Sequence, residues 1–316
     1  SKNATGNVVI QTFVSHDSKS YTVTEIDNNA FRNTKIESLS FESNSQVKII
    51  GKYAFQNSTI KRLSIPDSLE EFGEDWCNGV EHLKEIEINE NHPHFQYKNG
   101  LLINKENKEI IFAKRDLTGN QDIPKDIKKI GPSSFYSCNQ IEYILIESPV
   151  FECIGTFAFC QCSQLKNFAV SGTKKVTFGE SCISYSKSLQ NVIVSCDELI
   201  LSNNCFQCCT SLLSLSFPVK KISIGRMALI GCDNLSSFSI PNAQSVEIKN
   251  YSLLSLNKLE SLFLHTEKLS ICDDSFENCT SIKDVYLNSK EAVNSIILKD
   301  FSLLKRIDLT SFSTLV

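Results

Sequence analysis

Ile154-Gly155-Thr156-Phe157-Ala158-Phe159-Cys160-Gln161-Cys162-Ser163-Gln164-Leu165-Lys166-Asn167-Phe168-Ala169-Val170 is the stretch whose reading decides the fold. A small residue, Ala158, precedes a large apolar anchor, Phe159. Apolar residues follow at Leu165, Phe168 and Val170, in the pattern L-x-x-L-x-L. The small–large pair returns as Ala30-Phe31, Ala54-Phe55, Ser134-Phe135, Cys182-Ile183, Cys205-Phe206, Ala228-Leu229, Ser252-Leu253 and Ser275-Phe276. From Phe135 the steps are 24, 24, 23, 23, 24 and 23 residues, and a last step of 25 reaches Phe301. A fixed period in this range predicts a solenoid.

The apolar block repeats with the period. Leu212, Leu215 and Phe217 follow Phe206, Leu235, Phe238 and Ile240 follow Leu229, and Ile282, Val285 and Leu287 follow Phe276. The last two apolar positions alternate with polar ones, which predicts a short strand with one buried face. A second cluster precedes each anchor, as in Val47-Ile49-Ile50, Val176-Phe178 and Ile222-Ile224. It is too short for a helix and predicts a second strand across the coil, with the small–large pair at a tight corner. One coil cannot bury its apolar face alone, so stacked coils share a continuous core. Their strands then form parallel ladders about 4.8 Å apart. The expected fold is a mainly β repeat solenoid with parallel ladders, tight corners and little helix.

The arrangement I-G-x-x-A-F-x-x-C-x-x-L-x-x-x-x-I-P resembles the BspA-type (treponemal-type) leucine-rich repeat. It is carried by Ile50-Gly51 to Ala54-Phe55, Ile130-Gly131 to Phe135, and Ile154-Gly155 to Ala158-Phe159, with the trailing proline at Pro66, Pro218 and Pro241. The resemblance covers about residues 22–310. The drift towards Cys, Asn and Ser resembles the large families of such proteins in protist parasites such as Trichomonas. What the resemblance implies is a non-enzymatic, cell-surface or secreted adhesion protein. It would attach to host cells, extracellular matrix proteins or other microbes. The alternative is a cytoplasmic leucine-rich repeat scaffold for protein partners.

A solenoid grows in one dimension, so residues 1–316 are expected to form one elongated domain. Residues 1–25 read as a hairpin-like cap over the open first coil, and 26–88 as the first repeats, with a shorter repeat at Trp76, Leu83, Ile86 and Ile88. The period breaks over 89–126, a hairpin-like insertion with two strands around the Lys105-Glu106-Asn107 turn. The second repeat array spans 127–310, followed by a tail at 311–316. The chain begins at Ser1, which suggests a processed or trimmed piece.

A net charge of −4 argues against a nucleic-acid partner. No apolar run approaches the roughly 18 residues of a membrane span, so any membrane attachment would need a segment outside this chain. P-loop, G-x-S-x-G and H-E-x-x-H signatures are missing from the sequence, and no enzyme, cofactor or small-molecule substrate is expected. Cys205-x-x-Cys208 lacks the second ligand pair that zinc needs. His92-Pro-His94 could hold a metal, though an exposed loop is the plainer reading. Glu70, Glu71, Glu74, Asp75, Glu81, Glu85, Glu87 and Glu90 form an acidic run that reads as a solvated face or a patch for a basic partner. Cys138, Cys162, Cys209, Cys232 and Cys279 each lie three residues after an anchor, a slot that suits reduced, buried thiols. Five N-x-[ST] sequons, at Asn3, Asn57, Asn234, Asn250 and Asn278, are about what chance gives at this Asn and Ser/Thr content.

Solenoids bind through their faces. The outward positions of the ladder strand are mostly small or polar, such as Asn167, Ala169, Asn191, Ser214, Ser237 and Ser261. Tyr143, Leu145, Ile193, Phe263 and Tyr286 are the exceptions and the candidate protein-binding residues.

Overall fold

The computed structural model describes residues 3–272, 274–289 and 305–308. Of the shortened last repeat, Phe301, Leu304 and Leu309 lie outside the described residues, as does the tail at 311–316, while Arg306–Asp308 pairs in parallel with Asp284–Ser289. Two compact units are present. One holds Ser1–Leu117 and Lys129–Cys138, the other Thr118–Lys128 and Asn139–Val316. Both are built of β coils, and no helix occurs among the described residues.

In the first unit, Thr5–Ile10, Lys35–Phe41, Arg62–Ile65 and Glu85–Ile88 form one parallel ladder. Glu25–Ile26, Ile49–Ile50 and Glu71–Phe72 form a second. In the second unit, Thr118–Ile123, Gln140–Glu147, Asn167–Ser171 and Asn191–Val194 pair in parallel. Across the coil run Cys153–Ile154, Lys175–Phe178, Glu198–Leu201 and Lys221–Ile224. The burial of Asn191–Val194 alternates exposed and buried, which is the period-two pattern of a half-buried strand. Further on, Ser237–Ile248 and Ser261–Ile271 each join two ladder strands that the sequence reads as separate. Their register shifts between Ile240 and Ala243, at Pro241, which has no N–H to give a ladder.

The corner has a backbone signature. Residues two before and two after the anchors from Phe31 to Leu253 hold positive φ, as at Asn29 and Asn33, Tyr53 and Asn57, Ser133 and Ser137, Phe157 and Gln161, and Asn204 and Cys208. A left-handed residue that is not glycine costs of the order of 1 kcal/mol or more. Hydrogen bonds between coils offset it. Asn29, Phe31 and Asn33 donate their N–H to the carbonyls of Lys52, Ala54 and Gln56 at 3.0, 2.7 and 2.8 Å. Phe31, Phe55, Phe135, Phe159, Phe206 and Phe276 are all buried, and the rings of Phe31 and Phe55 stack at 5.5 Å. The Ile-Gly step has its own reason. A Cβ on Gly51 would sit 2.7 Å from the Asn28 backbone, so the coils close up only over a glycine.

Three expectations need correction. The anchor of the short repeat is Cys77, not Trp76. Positive φ at Asp75 and Gly79 brackets Cys77, and Phe55 N–H donates to Trp76 O as Phe31 does to Ala54 O. Trp76 therefore fills the small-residue slot and Cys77 the large one, a size swap that conserves the filling of the layer. The insertion has three strands rather than two, Phe95–Lys98, Leu101–Asn104 and Glu109–Ala113, paired antiparallel. Asn99-Gly100, both at positive φ, makes the first of its turns, a two-residue hairpin connection. The N-terminal hairpin, Phe13–His16 with Lys19–Thr22, is exposed at every residue, and Phe13 is 60% exposed. The first ladder instead starts with Thr5–Ile10.

All thirteen cysteines are free, and nine are buried. The corner thiols work as donors to the anchor carbonyl one coil back. Cys209, Cys232 and Cys279 Sγ–H point at Ile183, Phe206 and Leu253 O at 3.3, 3.2 and 2.9 Å. Ser186 makes the same bond to Phe159 O at 2.9 Å, which explains why Ser shares the slot. Burial pushes Cys77 and Cys232 up to about 12, and burial with Asp197 nearby pushes Cys196 to about 11. Thiolate is the reactive form, so these groups are inert in the fold. Alkylation without reductant is expected to label all thirteen thiols in denaturant. In the native protein the prompt label is confined to Cys153, Cys208 and Cys272, the partly exposed thiols other than Cys196. Mass spectrometry counts the additions, and thiols that stay unlabelled in denaturant would mark disulfides and refute the reading.

Candidate protein-binding face

Strands of the second unit carry every candidate residue, Tyr143, Leu145 and Ile193 in the four-stranded ladder and Phe263 and Tyr286 in a second set of paired strands, and register sorts them into columns. Asn120, Tyr143, Asn167 and Asn191 are successive partners, as are Asp122, Leu145, Ala169 and Ile193. Tyr143 and Leu145 therefore share a strand but not a column. Asn120, Tyr143, Asn167, Ala169, Asn191 and Ile193 line one shallow depression of about 310 Å³. Ile193 is 64% exposed there, while Tyr143 and Leu145 are half-buried. Ala169, expected to face outward, is covered. Asn191 Nδ2–H donates to Asn167 Oδ1 at 2.8 Å, a bond between coils that fixes both amides. The two asparagines occupy one repeat slot, which the spacing could have marked as a ladder.

Phe263 and Tyr286 form a second cluster, in a column that runs from Ser216 through Ser239. Their rings stack at 4.4 Å with planes 5° apart, both half-buried. Asn288 Nδ2–H donates to Tyr286 Oη at 3.3 Å, and the His265 ring stands 6.5 Å away. Parallel strands bring equivalent positions together, so two aromatics in one slot of consecutive coils must touch. The stack is preformed, and a partner would meet it without ordering either ring.

The other sequence candidates have structural duties. His92 is buried. Its Nε2–H donates to Pro66 O at 3.1 Å, and Nδ1 accepts the N–H of His94 and Phe95 at 3.2 and 3.1 Å. Both ring nitrogens are occupied, and burial holds its pKa below the usual imidazole range. Cys205 fills the small corner slot, with its Sγ 3.6 Å from that of Cys182. Among the described residues no group of three His, Cys, Asp or Glu side chains could hold a metal. The acidic run divides between strands. Glu85 and Glu87 face Arg62 and Ser64 on the first ladder, while Glu70, Glu71, Glu74 and Asp75 surround the back strand Glu71–Phe72.

One buried residue escapes sequence reasoning altogether. Arg115 is 4% exposed. Its guanidinium donates to the carbonyls of Val80, Ala113, Ser133 and Ser134 at 2.8, 3.2, 3.1 and 2.7 Å. It lies 4.6 Å over the Phe112 ring, and Cys77 and Cys138 Sγ are 3.5 and 3.8 Å away.

Coils with parallel ladders, a periodic L-x-x-L-x-L strand and a thiol-donating corner define a leucine-rich repeat solenoid. The sequence matches the BspA type Leucine rich repeat region in six copies, over residues 12–113, 104–212 and 199–314. The chain belongs to that family. Among solved structures, a leucine-rich repeat protein from Eubacterium ventriosum is 18% identical with a TM-score of 0.62, covering 95% of this chain and 74% of its own. The pneumococcal vaccine antigen PcpA is 16% identical with a TM-score of 0.52, covering 98% of this chain and 90% of its own. At these identities the likeness concerns the fold. Among curated proteins, none matches the chain. No helix among the described residues is long and apolar enough to cross a membrane.

Proposed function

We propose that this chain is a non-enzymatic binding solenoid displayed on a microbial or protist cell surface. It attaches to protein partners on host cells, in the extracellular matrix or on other microbes. The observation that carries the reading is the preformed Phe263–Tyr286 stack, half open on the ladder face, with Ile193 exposed in the same unit. Rigid aromatics lose little conformational entropy on binding and dominate protein interfaces. Tyr143, Leu145 and Ile193 extend the apolar contact. The outward serines and asparagines between them supply polar partners.

The Phe263→Ala/Tyr286→Ala variant is expected to lose attachment to host cells or matrix proteins by about thirtyfold, the effect of some 2 kcal/mol. Binding through these rings changes little with salt. A variant that attaches as well as the parent would remove the face from consideration. The second reading, an intracellular scaffold, draws on the thiol ladder, whose donor role requires reduced cysteines. Glycans at the sequons of protein from its own cells would favour the surface reading, and unmodified sequons the scaffold.

A further inference from the structure

The back side of the first unit is interrupted. In the regular repeat a glycine donates its N–H to the back strand one coil earlier, Gly51 to Ile26 O at 2.8 Å and Gly73 to Ile50 O at 2.7 Å. Phe72 is the register partner of Ile50, so its carbonyl is the next in the series. Gly131 donates instead to Ile110 O at 2.8 Å, because the insertion strand Glu109–Ala113 pairs with Lys129–Ile130. Glu71–Phe72 is left as the last strand of its three-stranded sheet. Among the described residues nothing donates to the Phe72 carbonyl. A cleft of about 470 Å³ opens beside this edge.

The cleft is acidic. Glu70, Glu71, Glu74, Asp75 and Glu109 line it against Lys129. Lys48 and Lys52 pair with Glu70 and Glu74 at 2.8 and 2.9 Å, and carboxylates still outnumber cations. Those pairs are exposed and exchange easily. Glu71 has no ion-pair partner among the described residues. Burial raises the pKa of Asp75 and Glu109, so each gains by meeting a cation. Trp76 also lines the cleft and is 2% exposed.

We propose that this cleft takes an extended, lysine- or arginine-bearing segment of a partner protein as an added strand. The segment pairs its backbone with Phe72 and sets its basic side chains against Glu71 and Glu109. Strand addition gives affinity through main-chain bonds and specificity through alternate side chains. An open sheet edge is the template for it. The reading uses none of the ladder-face residues and stands or falls separately from them.

Trp76 is the single tryptophan of the chain, so its emission reports on the cleft directly. The probe is a capped peptide of about eight residues alternating lysine and valine, in low salt. A saturable change in Trp76 emission is expected, with affinity falling about tenfold when salt rises to about 0.3 M. Glu71→Lys, at an exposed position, is expected to weaken binding about tenfold with an unchanged thermal melt. A peptide N-methylated on alternate amides should lose binding by a similar factor, since it cannot complete the ladder. The Phe263→Ala/Tyr286→Ala variant should bind the peptide as the parent does. An unchanged emission, equal binding of a glutamate–valine peptide, or undiminished binding to Glu71→Lys would overturn the proposal. So would equal binding of the N-methylated peptide or of spermine, which would reduce the cleft to a charge trap.

Discussion

Phe159→Ala is expected to lower the unfolding free energy by about 3–5 kcal/mol, as for other buried large-to-small changes. Phe159 is fully buried, and its ring meets Phe168 edge-on at 5.1 Å. Its backbone is held as well, since its N–H donates to Cys182 O at 2.6 Å and its carbonyl accepts from Ser186 Oγ. Those bonds keep the corner in place when the ring is removed, so the site cannot collapse and the cavity remains. Urea unfolding followed by circular dichroism measures the change, and a loss under about 1 kcal/mol would contradict the layered core.

Arg115→Met is expected to destabilise the first unit by about 3–5 kcal/mol. Burying a cation has a large desolvation cost, and some buried charges can be replaced by apolar groups at no loss. Here the opposing effect wins. The carbonyl acceptors belong to the backbone of separate strands and turns and cannot turn away. Val80 O would lose its donor at about 1–3 kcal/mol, Ala113 O would keep only the long Cys138 thiol contact at 4.0 Å, and the contact with Phe112 would go too. Arg115→Lys should recover little, because one ammonium cannot reproduce a planar fork. Trp76 packs on Phe112 at 5.8 Å, so its fluorescence follows this unit during unfolding. A methionine variant as stable as the parent would show that the guanidinium is dispensable.

Much of the fold could be read before the structure. Stacked coils need the same residue class at the same slot, so Phe31, Phe55, Phe159 and Phe206 declare their layer by spacing alone. Tyr143, Leu145, Ile193, Phe263 and Tyr286 stood out because period two assigns outward positions. Their grouping did not. Whether Tyr143 shares a column with Leu145 or with Asn167 depends on strand register, and only pairing between coils sets that. The swap of Trp76 and Cys77 was hidden because both slots are buried and the layer responds to their summed volume. The Asn99-Gly100 turn carried a local signal of its own, yet the neighbouring Lys105-Glu106-Asn107 turn was easier to see.

By itself the sequence determined the period, the strand positions, the corner and the family, because each is a local pattern that repeats. Only the tertiary structure decided where the repetition fails. Arg115 draws its partners from residues 80, 113, 133 and 134, and no local window contains that set. The open edge at Phe72 arises likewise, because Gly131 bonds to an inserted strand in place of the coil that precedes it in the series. A break in a stack is a choice of neighbour, made by packing and hydrogen bonding among distant segments.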